Sequence, residues 1–279
     1  LLSLAFTGKN LFRLLEASDT PVGIGKDTAY RFLNSATANW RRFLLLLGTR
    51  VIAQKLLPLT AEATKKVLIV DDSSPDGTGQ IAEDLGRELD GRLKVLHRKG
   101  KLGLGTAYIT GFKQALADGA EIVGQMDADF SHQPEKVVEL IAALDNADMA
   151  LGSRYVPGGK LDESWPFWRK ALSGFGNFYA RTILGLNVKD VTGGFRMWRA
   201  RTLRRMDLDR VKSNGYVFQV EMLYYAHLLG FKFKEVPIYF ADRKEGTSKM
   251  SFDIQREAAI KTWSLLKRYE DLRLPPPRG

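Results

Sequence analysis

The stretch Met126-Asp-Ala-Asp-Phe-Ser-His132 decides how the rest of the chain is interpreted. It closes an apolar run over residues 121–126 that is typical of a buried strand. Two carboxylates one residue apart, where a strand opens into a loop, suit a hard divalent cation that keeps water and phosphate oxygens as its other ligands. The ligand crevice of an open α/β sheet lies at the carboxyl ends of its strands. Taken alone, the pair fits either a metal site or two solvated aspartates in a turn.

Around this stretch, strands alternate with helices. The pattern predicts strands at 67–70, 93–97, 121–126 and 147–151, and helices at 78–89, 105–117 and 135–144. This βαβ alternation indicates an α/β fold with a mostly parallel sheet and helices on both faces. Further along, the pattern predicts helices at 170–184, 219–229 and 251–272 and a strand at 231–240.

Residues 1–66 have a different character. Apolar residues recur there at helical spacing, and 10 Lys and Arg against 4 Asp and Glu give a net +6 of the chain's +10. We therefore predict a helical segment over 1–66, an α/β domain over 67–272 and a disordered tail over 273–279. The basic surface of the first segment suits nucleic acid or an anionic membrane, or is a solvated face.

Composition narrows the chemistry. The chain has no cysteine, so it has no disulfide framework and no thiolate metal site, and a cytoplasmic location is expected. With only three histidines, a His-rich metal site is not expected either. No apolar run reaches the roughly 18–20 residues that span a bilayer, so we expect no transmembrane segment.

Several further motifs end strands or precede helices. Asp72 ends the first strand and is placed to accept hydrogen bonds from a base or ribose, or to form a tight turn. Gly103 and Gly105 precede a helix whose N-terminus favours phosphate. Cations follow at Arg154, at Arg196 and in the loop 242–249. Because Arg and Lys commonly hold phosphates, the combination suggests two phosphorylated ligands around one metal.

Residues 67–265 resemble the family 2 glycosyltransferases and, within them, the dolichol- or polyprenol-phosphate mannosyltransferases. Seven motifs carry the resemblance, in the family's order: Val70-Asp-Asp-Ser-Ser-Pro-Asp-Gly-Thr78, Gly103-Leu-Gly-Thr-Ala-Tyr108, Met126-Asp-Ala-Asp-Phe-Ser-His132, Gly152-Ser-Arg-Tyr155, Thr192-Gly-Gly-Phe-Arg196, Gly215-Tyr-Val-Phe-Gln219, and Asp242-Arg243 through Ser248-Lys249.

The resemblance implies a GT-A fold and inverting transfer of mannose from GDP-mannose to dolichyl or polyprenyl phosphate. The implied catalytic residues are Asp127, Asp129, Arg243 and Lys249. Those implied to hold Mg²⁺ or Mn²⁺ are Asp127, Asp129 and Ser131, and those implied to bind substrate are Val70, Asp72, Ala128, Arg154, Arg196 and Gln219. The acceptor phosphate is already anionic at neutral pH, so no general base is needed and His132 is expected to be structural. The protein would work as a peripheral protein at the cytoplasmic face of a membrane.

The sequence departs from the family at its start. Members begin with a strand that ends in a Pro-x-Tyr-Asn-Glu motif and lies in the middle of the sheet, and no such motif occurs here. Residues 1–66 instead resemble the N-terminal part of a DDE-type transposase, in Thr7-Gly-Lys-Asn-Leu-Phe12, Asp27-Thr-Ala-Tyr-Arg-Phe-Leu-Asn34 and Trp40-Arg-Arg-Phe43. Either the flanking strands close up or the sheet keeps a gap that the helices of residues 1–66 cover, and donor binding is expected to be weakened or abolished.

Two other functions stay open on these grounds. One alternative is a catalytically impaired fusion product. The other is a DNA-binding transposase remnant, although nucleic acid is not the partner we expect. The last helix places Arg256, Lys261, Lys267 and Arg268 beside Ile254, Ile260, Trp263 and Leu266. Such a basic amphipathic helix fits either a membrane surface or packing against the core.

Overall fold

The computed structural model describes residues 66–75, 77–88, 93–100, 102–127, 131–241 and 252–273. The helices predicted within residues 1–65 and the tail beyond residue 273 lie outside these ranges. So do four of the predicted site residues, Ala128, Asp129, Arg243 and Lys249.

The fold begins with a parallel strand pair that has a helix on each face. Its elements are β1 (Val67–Asp71), α1 (Thr78–Glu88), β2 (Leu93–His97) and α2 (Leu104–Ala117). Leu85 of α1 packs on Ile69 and Leu93 on one face of the pair. On the other face Gly111 of α2 lies against Val70, where a side chain would crowd the valine. The right-handed βαβ connection favours this arrangement.

The second part contains a mixed four-stranded sheet. Its elements are β3 (Ile122–Gln125), α3 (Lys136–Ala143), β4 (Met149–Ser153), β5 (Lys160–Leu161), α4 (Phe167–Ile183), β6 (Arg196–Arg199), α5 (Ala200–Arg205), α6 (Tyr216–Leu228), β7 (Phe233–Pro237), β8 (Tyr239–Phe240) and α7 (Phe252–Arg268). The strand order is β3-β6-β4-β7, and β6 runs antiparallel to both of its neighbours. The other three strands share one direction. A separate short parallel pair joins β5 to β8.

The two main sheets are not hydrogen-bonded to each other. Within the described residues, β1 pairs only with β2 and β3 pairs only with β6, although α2 packs against both β1 and β3. Of the two outcomes expected for the missing central strand, closing up of its neighbours is therefore wrong. Among the described residues the two sheets stay separate, and α2 packs against both of them.

The main core lies between the four-stranded sheet and the helices that cover it. Trp198 of β6, Phe218 and Leu223 of α6 and Leu265 of α7 are completely buried in it. A second cluster, with Leu140 of α3, covers the opposite face of the same sheet. Both faces of this sheet are therefore covered, and the carboxyl end of β3 lies at one edge of the packed sheet.

The structure corrects several sequence predictions in this half. The strand β6 and the helix α5 were not predicted, because Met197 and Trp198 are buried on opposite faces and leave no polar alternation to detect. The single strand predicted over 231–240 is two strands in different sheets, β7 and β8. Helix α4 starts at Phe167, three residues before the predicted start.

Candidate active site

Asp127 lies two residues after the end of β3, and it is half-buried. The phenol hydroxyl of Tyr108 donates a hydrogen bond to its Oδ1 at 3.2 Å. The backbone N–H of Asp127 donates to Nδ1 of His132 at 3.1 Å. Both the carboxylate and the backbone of the first predicted metal ligand are therefore held in place.

Tyr108 itself is fixed by ring stacking. Its ring lies parallel to that of Phe218 on α6, with centroids 5.6 Å apart and an interplanar angle of 5°. Phe112, one turn further along α2, stacks on it at 6.0 Å. Such packing restricts ring motion, so the hydroxyl stays aimed at Asp127.

His132 is almost fully buried between aromatic rings. Phe195 stacks on it at 5.0 Å and Phe240 meets it edge-on at 5.4 Å. Because Nδ1 accepts a hydrogen bond from Asp127, the neutral ring carries its proton on Nε2. This placement agrees with the structural role expected for His132.

Gln219 reaches the same place from α6. A Cβ atom on Gly194 would lie 3.5 Å from Oδ2 of Asp127 and 3.6 Å from Nε2 of Gln219, so both side chains lie against this loop. Oε1 of Gln219 accepts a hydrogen bond of 2.9 Å from Gln125 of β3. Gln125 in turn accepts from the indole of Trp198 at 3.2 Å. The sequence predicted Gln219 near the site and missed Gln125.

The described residues at this edge of the sheet fit a hard cation only together with further ligands. In the described part of the chain, no three His, Cys, Asp or Glu side chains cluster as a metal site. Asp127 supplies one fixed carboxylate, so the remaining ligands would be Asp129, water and ligand phosphates, as a Mg²⁺-like ion prefers. Ser131 is completely buried, and its carbonyl accepts from the N–H of Ala241 at 3.3 Å.

Arg196 lies behind the glycine loop. It is completely buried, and its three guanidinium nitrogens donate to the carbonyl oxygens of Gly193 at 2.9 Å, Gln219 at 2.7 Å and Val191 at 3.0 Å. Burial lowers the pKa of Arg196 to about 10, so it remains a cation at neutral pH. The predicted substrate contact does not fit this placement, because all three nitrogens bind backbone and none faces solvent. Arg196 instead ties the loop to α6.

Arg154 is held in a similar way, by a carboxylate. Its guanidinium forks onto the buried Asp190 at 2.7 and 2.6 Å, and it also donates to Thr192 at 2.8 Å. Burial alone would raise the pKa of Asp190, but the adjacent Arg154 outweighs it and holds the pKa below its usual value. The predicted role of Arg154 as a phosphate ligand therefore competes with a buried ion pair.

Asp72 forms a second buried pair on the other sheet. Arg98 donates to its two carboxylate oxygens at 2.6 and 3.0 Å and to Oγ1 of Thr106 at 3.0 Å. Arg98 was missed in the sequence, because strand register sets its place beside Asp72. Asp71 and His97 are register partners, so the residues that follow them leave the sheet side by side. Val70, the other predicted nucleotide contact, is buried under α2.

The first turns of α2 serve both clusters. Thr106 contacts Arg98 beside Asp72, and Tyr108 contacts Asp127, so one helix links the ends of the two separate sheets. A cleft of about 510 Å³ opens along the same helix between Ile109, Lys113 and the segment 208–213. Asp127 does not line this cleft, and Lys113 at its rim is paired with Asp209.

The chain is similar in sequence to known proteins. The chain matches the sequence model of glycosyl transferase family 2 over residues 43–206. An undecaprenyl-phosphate mannosyltransferase from Micrococcus luteus is 48% identical over 225 residues, covering 78% of this chain and 92% of the relative. A polyprenol monophosphomannose synthase from Mycolicibacterium smegmatis is 44% identical over 210 residues, covering 74% and 79%. The chain therefore belongs to glycosyl transferase family 2, and the predicted glycosyltransferase class is confirmed.

The fold comparison agrees. Glucosyl-3-phosphoglycerate synthase from Mycobacterium tuberculosis, solved with Mn²⁺, uridine diphosphate and phosphoglyceric acid, superposes with a TM-score of 0.51 at 16% identity. The superposition covers 81% of this chain and 74% of that one. The predicted GT-A fold is confirmed. The transposase resemblance of residues 1–66 stays a prediction.

Proposed function

We propose that this chain transfers mannose from GDP-mannose to a polyprenyl or dolichyl phosphate, with inversion at the anomeric carbon. The observation that carries the proposal is the placement of Asp127, held by Tyr108 and bordered by Gly194 at the carboxyl end of β3. The acceptor and the sugar are taken from the names of the relatives that are 44% and 48% identical.

Asp127 and Asp129, with Ser131 beside them, would hold Mg²⁺ or Mn²⁺. When bound, the ion would offset the charge that develops on the leaving diphosphate. Arg243 and Lys249 would bind phosphate oxygens of donor or acceptor, as forked and point cations do. Asp72, Val70 and Ala128 would border the nucleotide.

The acceptor phosphate supplies its own nucleophile. An oxygen of the ionised phosphate attacks the anomeric carbon of mannose and forms the new C–O bond. The bond from that carbon to the diphosphate breaks, and GDP leaves with the electron pair. No proton has to move, because a phosphate with a pKa near ~6 is ionised at neutral pH. This agrees with His132 serving as a buried structural residue.

The proposed acceptor is a membrane lipid and the proposed donor is a nucleotide sugar. The chain would therefore act as a peripheral protein at the cytoplasmic face of a membrane. Among the helices that the structure describes, none is both long and apolar enough to cross a bilayer.

The divided sheet supports a second outcome, an impaired enzyme. β1 carries Asp72 at its end, yet in the described residues β1 is joined to β2 alone. A strand with a free edge is easier to displace, so the nucleotide side of the site would bind GDP-mannose weakly.

The test is to incubate the chain with radiolabelled GDP-mannose, Mn²⁺ and polyprenyl phosphate and to analyse the lipid extract. We expect a mannosylated lipid that requires the divalent cation, and no product with UDP-glucose. A folded chain that gives no lipid product but binds GDP-mannose by calorimetry would indicate another acceptor. A folded chain that neither binds nor transfers would support the impaired fusion.

A further inference from the structure

One face of α4 exposes four large aromatic side chains. The exposed fractions are 85% for Phe167, 62% for Trp168, 62% for Phe175 and 58% for Phe178. Fully burying such a side chain is worth about 1.5–3 kcal/mol, so soluble surfaces rarely gather several of them. A structural role in the core does not explain side chains that face away from it.

The four rings lie on the same side of the helix. At about 100° per residue, Phe167, Phe178, Phe175 and Trp168 fall within an arc of about 100°. The other residues in that arc, Ala171 and Thr182, are exposed and uncharged. The arc therefore forms a continuous apolar strip along a helix of 17 residues, about 25 Å long.

Helix α7 extends the strip sideways. Its indole Trp263 donates from Nε1 to the hydroxyl of Tyr179 on α4 at 2.8 Å, and the Tyr179 ring lies 6.2 Å from that of Phe175. Trp263 and Ile260 are 54% and 63% exposed. We call these six exposed residues the aromatic face: Phe167, Trp168, Phe175, Phe178, Ile260 and Trp263.

The charges on α4 have one sign. Helix α4 contains Arg169, Lys170 and Arg181 and no acidic residue. Lys170 and Arg181 project about 40–60° outside the apolar arc, on the side away from α7. Lys261 lies next to Ile260 on α7. Aromatic rings between cations are typical of helices that lie in the interface of an anionic bilayer.

We propose that the aromatic face is the surface with which this chain binds an anionic lipid bilayer, its rings entering the headgroup region and Lys170 and Arg181 binding lipid phosphates. The choice of a lipid partner rests on the proposed function, whose acceptor is a membrane lipid. The positive charge of α4 favours lipid over a second copy of this chain, because two such helices facing each other would repel.

The test uses the full chain and vesicles without donor or polyprenyl phosphate, so it can fail independently of the transfer reaction. Flotation is measured with vesicles of phosphatidylcholine containing phosphatidylglycerol. We expect the wild-type chain to float, and the double variant Phe175→Ser with Phe178→Ser to partition at least tenfold more weakly. Val138→Ser, an exposed apolar position on α3, should float as the wild type does. Raising the salt concentration should weaken binding, because the cations contribute.

Brominated lipid gives a second readout. Quenching of tryptophan fluorescence should fall in part when Trp168 is replaced by Phe, because Trp263 of the aromatic face remains while Trp165 and Trp198 are buried. A wild-type chain that does not float, or a folded double variant that floats equally well, would overturn the proposal. So would a wild-type dimer in sedimentation that the double variant dissociates, because the face would then bind a second copy.

Discussion

Tyr108 presents a single oxygen to Asp127 while its ring remains packed between Phe112 and Phe218. Tyr108→Phe removes the hydrogen bond and leaves the stacking in place. Such a bond is worth about 1 kcal/mol, so Mn²⁺ affinity in the presence of GDP should fall roughly fivefold. Titration calorimetry measures this without turnover.

The matched control is Tyr225→Phe. The hydroxyl of Tyr225 lies in the core and accepts a hydrogen bond from the N–H of Asp207. The control substitution should lower thermal stability without changing Mn²⁺ affinity. Equal Mn²⁺ affinity for Tyr108→Phe and wild type would show that the phenol does not position Asp127.

A substitution at Arg154 tests whether the cation of the motif Gly152–Tyr155 is structural. Arg154→Met leaves the buried carboxylate of Asp190 without its partner, which should cost about 3–5 kcal/mol of unfolding free energy in denaturant titrations. The control Arg201→Met breaks an exposed pair with Asp148 and should cost less than about 1 kcal/mol. An Arg154→Met variant as stable as wild type that no longer binds donor would restore the predicted phosphate contact.

At the scale of elements, the sequence predicts that a central strand is missing between β1 and β3. In the described residues these two strands are indeed not hydrogen-bonded to each other. β4 is bonded on both edges, by β6 and β7, whereas β1 is bonded to β2 alone in the described residues. Hydrogen exchange should therefore be at least tenfold faster for β1 amides than for β4 amides. Equal protection would mean that residues outside the described ranges cover the free edge of β1.

Elements with a clear period were predictable from sequence, and elements without one were not. β2 was predicted with the bounds that the structure shows, and α2 within one residue, because turn formers flank their apolar positions. β6 was missed because its central residues are buried on both faces between two arginines. A strand of this kind is recognised only by its neighbours in space.

The same limit applies to the site. Sequence identified Asp127 and Gln219, which the fold brings to Gly194. It identified the charge of Arg154 and Arg196 but not their partners, because a buried acid 36 residues away or a set of backbone carbonyls leaves no local pattern. Arg98 was missed for a similar reason, since its pairing with Asp72 depends on strand register.

At the scale of the whole molecule, the chain is a family 2 glycosyltransferase with a GT-A fold and an exposed aromatic face. Asp127 lies at the edge of the four-stranded sheet, and α2 connects it to the Asp72 cluster on the separate strand pair. The exposed aromatic face on α4 and α7 is the proposed route by which the chain would meet a lipid acceptor. The proposed function requires Asp127 for mannosyl transfer to that lipid.

The most direct test is the initial rate of mannose transfer from GDP-mannose to polyprenyl phosphate, with Mn²⁺, for wild type, Asp127→Ala and Asp209→Ala. Asp209 is an exposed acid paired with Lys113 and serves as the control. We predict a measurable wild-type rate, a fall of at least about a hundredfold for Asp127→Ala, and little change for Asp209→Ala. Transfer by a folded Asp127→Ala chain at the wild-type rate would contradict the account.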